Sequence, residues 1–214
     1  MTMTAAAAWL NTIFSSFDQS ITGAVHSLYE VCGNWLTPIM ELISLLGKGG
    51  IFLIFLSVIL LFVRPSRRFG TAMAIGLALG AIVVNLWLKV VIARPRPYAD
   101  VNGYYYPLWL MLGSHMESDF SFPSGHTNAA FAAMVPVFAL GRKSWSWLAL
   151  LFAVLMGISR IYLVVHYPSD VLGGLITGTI AGLIGTFVAL RIPKKSVWYS
   201  WPHGGKRKKG GAHL

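Results

Sequence analysis

The sequence is short of charge. Asp, Glu, Lys and Arg make up only 11% of its 214 residues, against about 25% in a soluble domain, whose surface must be wet. Hydrophobic residues reach 56% and mean hydropathy is +0.65. So few charges cannot clothe a water-facing surface, and lipid is expected to cover much of the chain. The same numbers exclude disorder. Cysteine is nearly absent. Cys32 alone excludes an internal disulfide framework and any cysteine zinc cluster. Acidic residues are scarce, 7 against 17 Lys and Arg. No Lys or Arg precedes Lys48, so the basic start of a signal peptide is missing. There is no internal repeat, and only the Gly/Lys-rich stretch 204–212 has the composition of a disordered tail.

What is abundant is apolar sequence in long runs. Five segments, at about 49–63, 69–93, 127–140, 145–165 and 171–190, approach the roughly 20 residues a helix needs to cross a bilayer. Gly76, Gly80, Ala129, Ala130, Gly173, Gly174, Gly178 and Gly182 lie inside them, and small residues let membrane helices pack closely. Upstream, 5–14 is a short apolar stretch. Over 21–46, apolar residues such as Ile21, Val25, Leu28, Trp35, Ile39 and Ile43 recur at helical spacing among Glu30, Asn34 and Glu41. This pattern reads as an amphipathic helix on or partly in the membrane. An ordinary first span is the alternative, since 35–46 is quite apolar. The expected fold is all-α: a polytopic transmembrane helix bundle of five clear spans plus an N-terminal amphipathic or weak sixth helix. The expected division is 1–48 interfacial helices, 49–193 catalytic core and 194–214 basic cytoplasmic tail.

The net charge of +10 could suggest nucleic-acid binding, but its placement argues otherwise. Arg191, Lys194, Lys195, Lys206, Arg207, Lys208 and Lys209 directly follow an apolar run, as a juxtamembrane basic tail does. If the five segments alternate, that tail shares one side with Arg64, Arg67, Arg68, Arg142 and Lys143. That side holds twelve of the seventeen basic residues and no acid. By the positive-inside rule it is cytoplasmic. The loop 94–126 and the turn near 166–170 then face outward, in a multi-pass plasma (inner) membrane protein. Nucleic acid is not an expected partner, and no obligate protein partner is indicated.

Lys89, Arg96 and Arg160 break this pattern, sitting at the outward ends of spans, where charge is costly unless used or paired. Snorkelling accounts for one lysine, not for three cations converging on one face. Ser124, Gly125 and His126 stand where a loop enters a span, and backbone N–H groups at such a helix start bind anions. Alone, Ser-Gly-His is a weak signal. His166 lies four residues before Asp170, and Pro168 suits the first turn of the last helix. Asp170 can accept the His166 ring N–H, leaving the other nitrogen free as a nucleophile. Three cations suit a dianionic phosphate. Two histidines allow one to attack phosphorus while the other protonates the leaving oxygen. No Asp/Glu cluster stands ready to hold Mg²⁺, so neutralisation falls to Lys and Arg, and no metal or cofactor is expected.

Lys89–x6–Arg96–Pro97, then Pro123–Ser124–Gly125–His126, then Ser159–Arg160–x5–His166–x3–Asp170 resembles the three-part signature of the type 2 phosphatidic acid phosphatase superfamily. That group also includes bacterial lipid phosphatases, glucose-6-phosphatases and vanadium haloperoxidases. The resemblance covers about residues 49–190 and fills every signature position. It implies that His166 is the nucleophile, forming a phosphohistidine, that Asp170 orients it, and that His126 is the general acid. It implies that Lys89, Arg96, Arg160, Ser124 and the Gly125 N–H hold the phosphoryl oxygens, without metal and with sensitivity to vanadate. The substrate expected from it is a lipid phosphate reached from within the membrane: first an isoprenyl diphosphate such as undecaprenyl diphosphate, as alternatives phosphatidylglycerophosphate or phosphatidic acid. An anion transporter is the rival from another class, but it gives no reason for the His166–Asp170 pair.

Other residues are read more plainly. Arg94 is expected to be an interfacial anchor rather than a second headgroup ligand. His115, Glu117 and Asp119 are expected in a solvated loop. The aromatic residues of 98–120, among them Tyr98, Tyr104, Tyr105, Tyr106, Trp109 and Phe120, suit either an interfacial belt or a rim around the pocket. His26, His203 and His213 have no partner pattern.

Overall fold

In the structure, a computed structural model describing residues 3–193, every regular element is helical. The basic tail expected over 194–214 lies outside the described residues. In chain order the α-helices are α1 (Ala5–Ile13), α2 (Ser15–Cys32), α3 (Leu36–Gly47), α4 (Ile51–Phe62), α5 (Arg67–Ala81), α6 (Lys89–Ile92), α7 (Tyr105–Met111), α8 (Gly125–Leu140), α9 (Lys143–Tyr162) and α10 (Pro168–Arg191). A π-helical stretch, Ile82–Leu88, joins α5 to α6, so the expected span 69–93 is one rod whose last turn carries the first site cation. Among the described residues four runs are long and apolar enough to cross a membrane: Ser15–Phe62, Arg64–Ala99, Lys143–Tyr162 and Pro168–Arg191. α8 is a shorter apolar helix.

Their outward faces are oily. Ile51, Phe55 and Phe62 on α4, Leu148 and Leu151 on α9, and Ile176, Ile180 and Phe187 on α10 are exposed, as lipid-facing side chains should be. α2 makes the same point in reverse. Asp18 and Thr22 turn inward while Ile21, Leu28 and Val31 face out, the opposite of a helix lying in water. The chain is an integral membrane protein.

The core of the bundle is α5, α8 and α10, held by close backbone approach. A Cβ on Gly174 would lie 2.6 Å from Ser124 O, and one on Gly76 the same distance from Ala132 O. Only glycine fits there. Pro136, which has no N–H, cannot donate to Ala132 O four residues earlier, and Gly76 and Gly182 close over that oxygen. Helix direction sorts the chain ends. α5 runs from Arg67 toward Lys89, α8 starts at Gly125, α9 ends beside Arg160 and α10 starts at Pro168. The motif residues therefore share one end of the bundle. Arg64–Arg68, Arg142, Lys143 and Arg191 share the other, where Arg68 Nη2 donates to Ile192 O at 3.3 Å.

One boundary departs from the hydropathy reading. The apolar run 145–165 suggests a single span, but helix α9 stops at Tyr162. Leu163–Val165 form a buried turn in which Val164 takes φ 54°, a strained setting for a β-branched residue. This turn aims His166 back into the bundle.

Candidate active site

The site forms where four chain segments meet, each fixed locally. Ser124 caps α8: its buried Oγ accepts from Thr127 N at 3.4 Å and Thr127 Oγ1 at 3.0 Å. That leaves Gly125 and His126 on the cavity wall, with Ser124 behind them. Pro168 occupies the first turn of α10, as expected. Asp170 Oδ2 accepts the Tyr167 N–H at 2.9 Å, closing that turn. Ser124 N donates to Asp170 O at 3.0 Å, tying the starts of α8 and α10 together.

His166 is buried. Its Nε2 faces Arg96 Nη1 at 3.0 Å. A guanidinium can only donate, so Nε2 carries the lone pair and the proton sits on Nδ1. Nδ1 points at Asp170 Oδ2 and Ser121 Oγ, each at 3.5 Å. Burial, and then the charges of Arg96, Arg160 and Lys89, push the His166 pKa well below its ordinary value. The ring is neutral at physiological pH, the state a nucleophile needs.

The three expected cations converge. Lys89 is buried, with its Nζ lying 3.6 Å from where a Cβ on Gly125 would be. Arg96 also donates through Nη1 to Val165 O at 2.7 Å and through Nε to Asp119 O at 3.0 Å. Arg160 donates to Ser44 Oγ and Glu117 Oε1, while its buried Nε has no partner among the described residues. Lys89, Arg96, His126 and His166 line a cavity of about 560 Å³, which continues between α4 and α5 past Ile54, Val58, Leu77 and Ala81. Arg160 and His126 line a second cavity of about 430 Å³ beside it.

Two expectations need correcting. Glu117 and Asp119 are not merely solvated loop residues. Asp119 bridges Lys89 and Arg96, and Glu117 pairs with Arg160. Burial alone would raise the Asp119 pKa, but hydrogen bonds from Lys89 and Arg96, with their charges, hold it below the usual carboxylate range. The loop is positioned by the aromatic segment. Trp109 stacks on Tyr98 with centroids 4.6 Å apart and donates to His115 O at 2.8 Å, and Glu117 N donates to Tyr98 Oη at 3.0 Å. Nor is Arg94 an interfacial anchor. It is 1% exposed and donates to Asp170, Ser169, Asp18 and Asn11. Asn85 on the π-helical stretch also lines the large cavity. No sequence pattern pairs these residues, though π-helical turns are frequent at functional sites. Among the described residues no three His, Cys, Asp or Glu form a metal-ligand group.

A family model for the PAP2 superfamily matches residues 68–195. The chain belongs to the PAP2 superfamily. It is 29% identical over 163 residues to an undecaprenyl-diphosphatase of Sulfolobus acidocaldarius, covering 76% of this chain and 75% of that protein. To phosphatidylglycerophosphatase B of Bacillus subtilis it is 34% identical over 185 residues, covering 81% and 83%. The crystal structure of a transmembrane PAP2 type phosphatidylglycerolphosphate phosphatase from Bacillus subtilis superposes with a TM-score of 0.67 at 28% identity, over 89% of this chain and 94% of that one. As a PAP2 protein the chain is a membrane lipid phosphatase, a hydrolase of phosphate esters.

Proposed function

We propose that this PAP2 phosphatase hydrolyses an isoprenyl diphosphate, with undecaprenyl diphosphate as first choice, giving undecaprenyl phosphate and inorganic phosphate. One observation carries the reading: a neutral imidazole nitrogen and two buried cations face a single cavity whose far arm is apolar and runs between membrane helices. The terminal phosphoryl group takes the place of the Asp119 carboxylate on Lys89 and Arg96, and Arg160 turns from Glu117 to it. The Gly125 N–H adds a donor at the start of α8, and Ser124 supports that start. The hydrocarbon chain lies in the apolar arm.

His166 Nε2 then attacks phosphorus. The bond to the leaving phosphate oxygen breaks, and His126 donates a proton to that oxygen. The ring gains positive character, which Asp170 balances from the Nδ1 side. Water next attacks the phosphohistidine, His126 takes its proton, and the P–N bond breaks to release orthophosphate and restore Nε2. Developing charge is met by Lys89, Arg96 and Arg160, with no divalent ion in the scheme. The pocket opens on the extracytoplasmic side and the basic end of the bundle is cytoplasmic, by the charge placement described above.

A second reading takes phosphatidylglycerophosphate or phosphatidic acid as substrate. Its support is the relative named phosphatidylglycerophosphatase B, which matches over more of the chain than the undecaprenyl-diphosphatase does. Purified protein in detergent, without divalent metal, is offered each lipid, and orthophosphate is measured. The expected result is fastest turnover of the isoprenyl diphosphate, abolished by His166→Ala. Preference for the glycerophospholipid would select the second reading, and full activity in His166→Ala would overturn the assigned nucleophile.

A further inference from the structure

Arg94 donates in four directions, and every acceptor is accounted for. Nη1 holds Asp170 Oδ1 at 2.6 Å and Ser169 Oγ at 2.7 Å, Nη2 holds Asp18 Oδ2 at 2.9 Å, and Nε holds Asn11 Oδ1 at 2.8 Å. The guanidinium lies 3.8 Å from the centre of the Tyr167 ring. Asp18, itself buried, accepts Ser169 N at 2.7 Å and Ser169 Oγ at 2.8 Å. It thus satisfies a free N–H in the first turn of α10 from a helix some 150 residues upstream. Arg94 is absent from the cavity wall, so it is no headgroup ligand.

We infer that Arg94 is a positioning residue for the nucleophile and that Asp18 anchors it, making α2 part of the catalytic unit. The inference rests on the reading of His166 as nucleophile. The geometry divides the labour of the Asp170 carboxylate. Oδ1 is claimed by Arg94, and Oδ2 is left for Ser121, Tyr167 N and the His166 ring. A carboxylate gripped on one oxygen by a fixed fork cannot rotate. The imidazole it faces then keeps its tautomer and its aim. A lone Arg94–Asp170 pair would be neutral and free to draw both carboxylate oxygens onto the guanidinium. Asp18 and Asn11 occupy the remaining edges of the fork and prevent that.

The test uses full-length protein in detergent with one lipid diphosphate, after wild type and His166→Ala have shown that turnover depends on His166. Arg94→Gln should lower kcat about 100-fold, and Asp18→Asn and Ser169→Ala about 10-fold, the range seen when orienting partners are removed. KM and inhibition by orthophosphate should stay within about twofold of wild type. In an Asp170→Asn background, Arg94→Gln should cost nothing further, because it acts only through that carboxylate. Thermal melting identifies folded variants; if Arg94→Gln does not fold, the two shape-preserving variants decide. Wild-type kcat in Asp18→Asn and Ser169→Ala, losses that multiply with Asp170→Asn, or a rise in KM alone would each overturn the inference while leaving the assigned reaction intact.

Discussion

The sharpest consequence of the site geometry concerns Asp119. Its carboxylate occupies the two cations proposed above to hold the substrate phosphate, so on that reading substrate binds only as the loop lets go. Asp119→Asn keeps the shape and removes the charge. The Asp119 side chain is 49% exposed, while Lys89 and Arg96 are 7% and 6% exposed. A pair with one partner half in water is worth about 0.2–1 kcal/mol, so two pairs are worth about 0.4–2 kcal/mol. If the engaged loop dominates the resting population, releasing it lowers the apparent dissociation constant by the same free energy, about 2- to 30-fold. KM in mixed micelles should fall by that factor with kcat unchanged. Orthophosphate should also raise the melting temperature of the variant more than that of wild type, since Lys89 and Arg96 lose their counterion. An unchanged or raised KM, or a collapse of kcat, would show that Asp119 assists the reaction rather than competing with the substrate.

Four further outcomes follow. His126→Ala should reduce turnover strongly, and more for a glycerol-linked monophosphate than for a diphosphate, because an alkoxide needs its proton more than a phosphate does; equal losses measured on the two substrates would contradict the general-acid role. Since the folded protein keeps His166 neutral while an unfolded chain protonates near pH 6.5, stability should be full above that pH and decline below it. Nitrogen-labelled imidazole resonances should show no His166 titration near 6.5, and a midpoint there would refute the buried neutral ring. Gly174→Val should cost at least about 1–3 kcal/mol by overpacking, because its Cβ would meet Ser124 O; a melting temperature equal to wild type would contradict the contact. In a Cys32→Ser background, Asn102→Cys should react with an impermeant thiol reagent on intact cells and Ser144→Cys only after permeabilisation, and the reverse pattern would invert the orientation.

Much of the site could be read from the chain because its parts come in short runs. Lys89 with Arg96, Ser124 with His126, and Arg160 with His166 and Asp170 each fall in a short run of chain around a helix end, and those span ends bring them together. The helical bundle was equally legible from the apolar runs. What escaped was pairing across distance. Asp18 and Arg94 are 76 residues apart, and in the sequence Asp18 is only an interruption in an apolar stretch. Glu117 and Asp119 look like any polar loop until Tyr98 and Trp109 fold it over the cations. The turn 163–165 was hidden because hydropathy registers burial and not backbone direction, and Leu163, Val164 and Val165 are as buried as any helix interior.

The direct backbone seating of α10 on α8 has a mechanical consequence. The two imidazoles proposed to attack and to deliver the proton sit at the starts of two rods in contact at glycine, His126 in the first turn of α8 and His166 two residues ahead of α10, with the Ser124 N to Asp170 O bond as a crosspiece. No flexible side chain sets their separation. A thinner bilayer, a stiffer one or a detergent shell can tilt the two rods together, yet the span between the reacting groups stays put. Changes of lipid surroundings should therefore alter how readily a substrate arrives and leave the pace of bond cleavage alone.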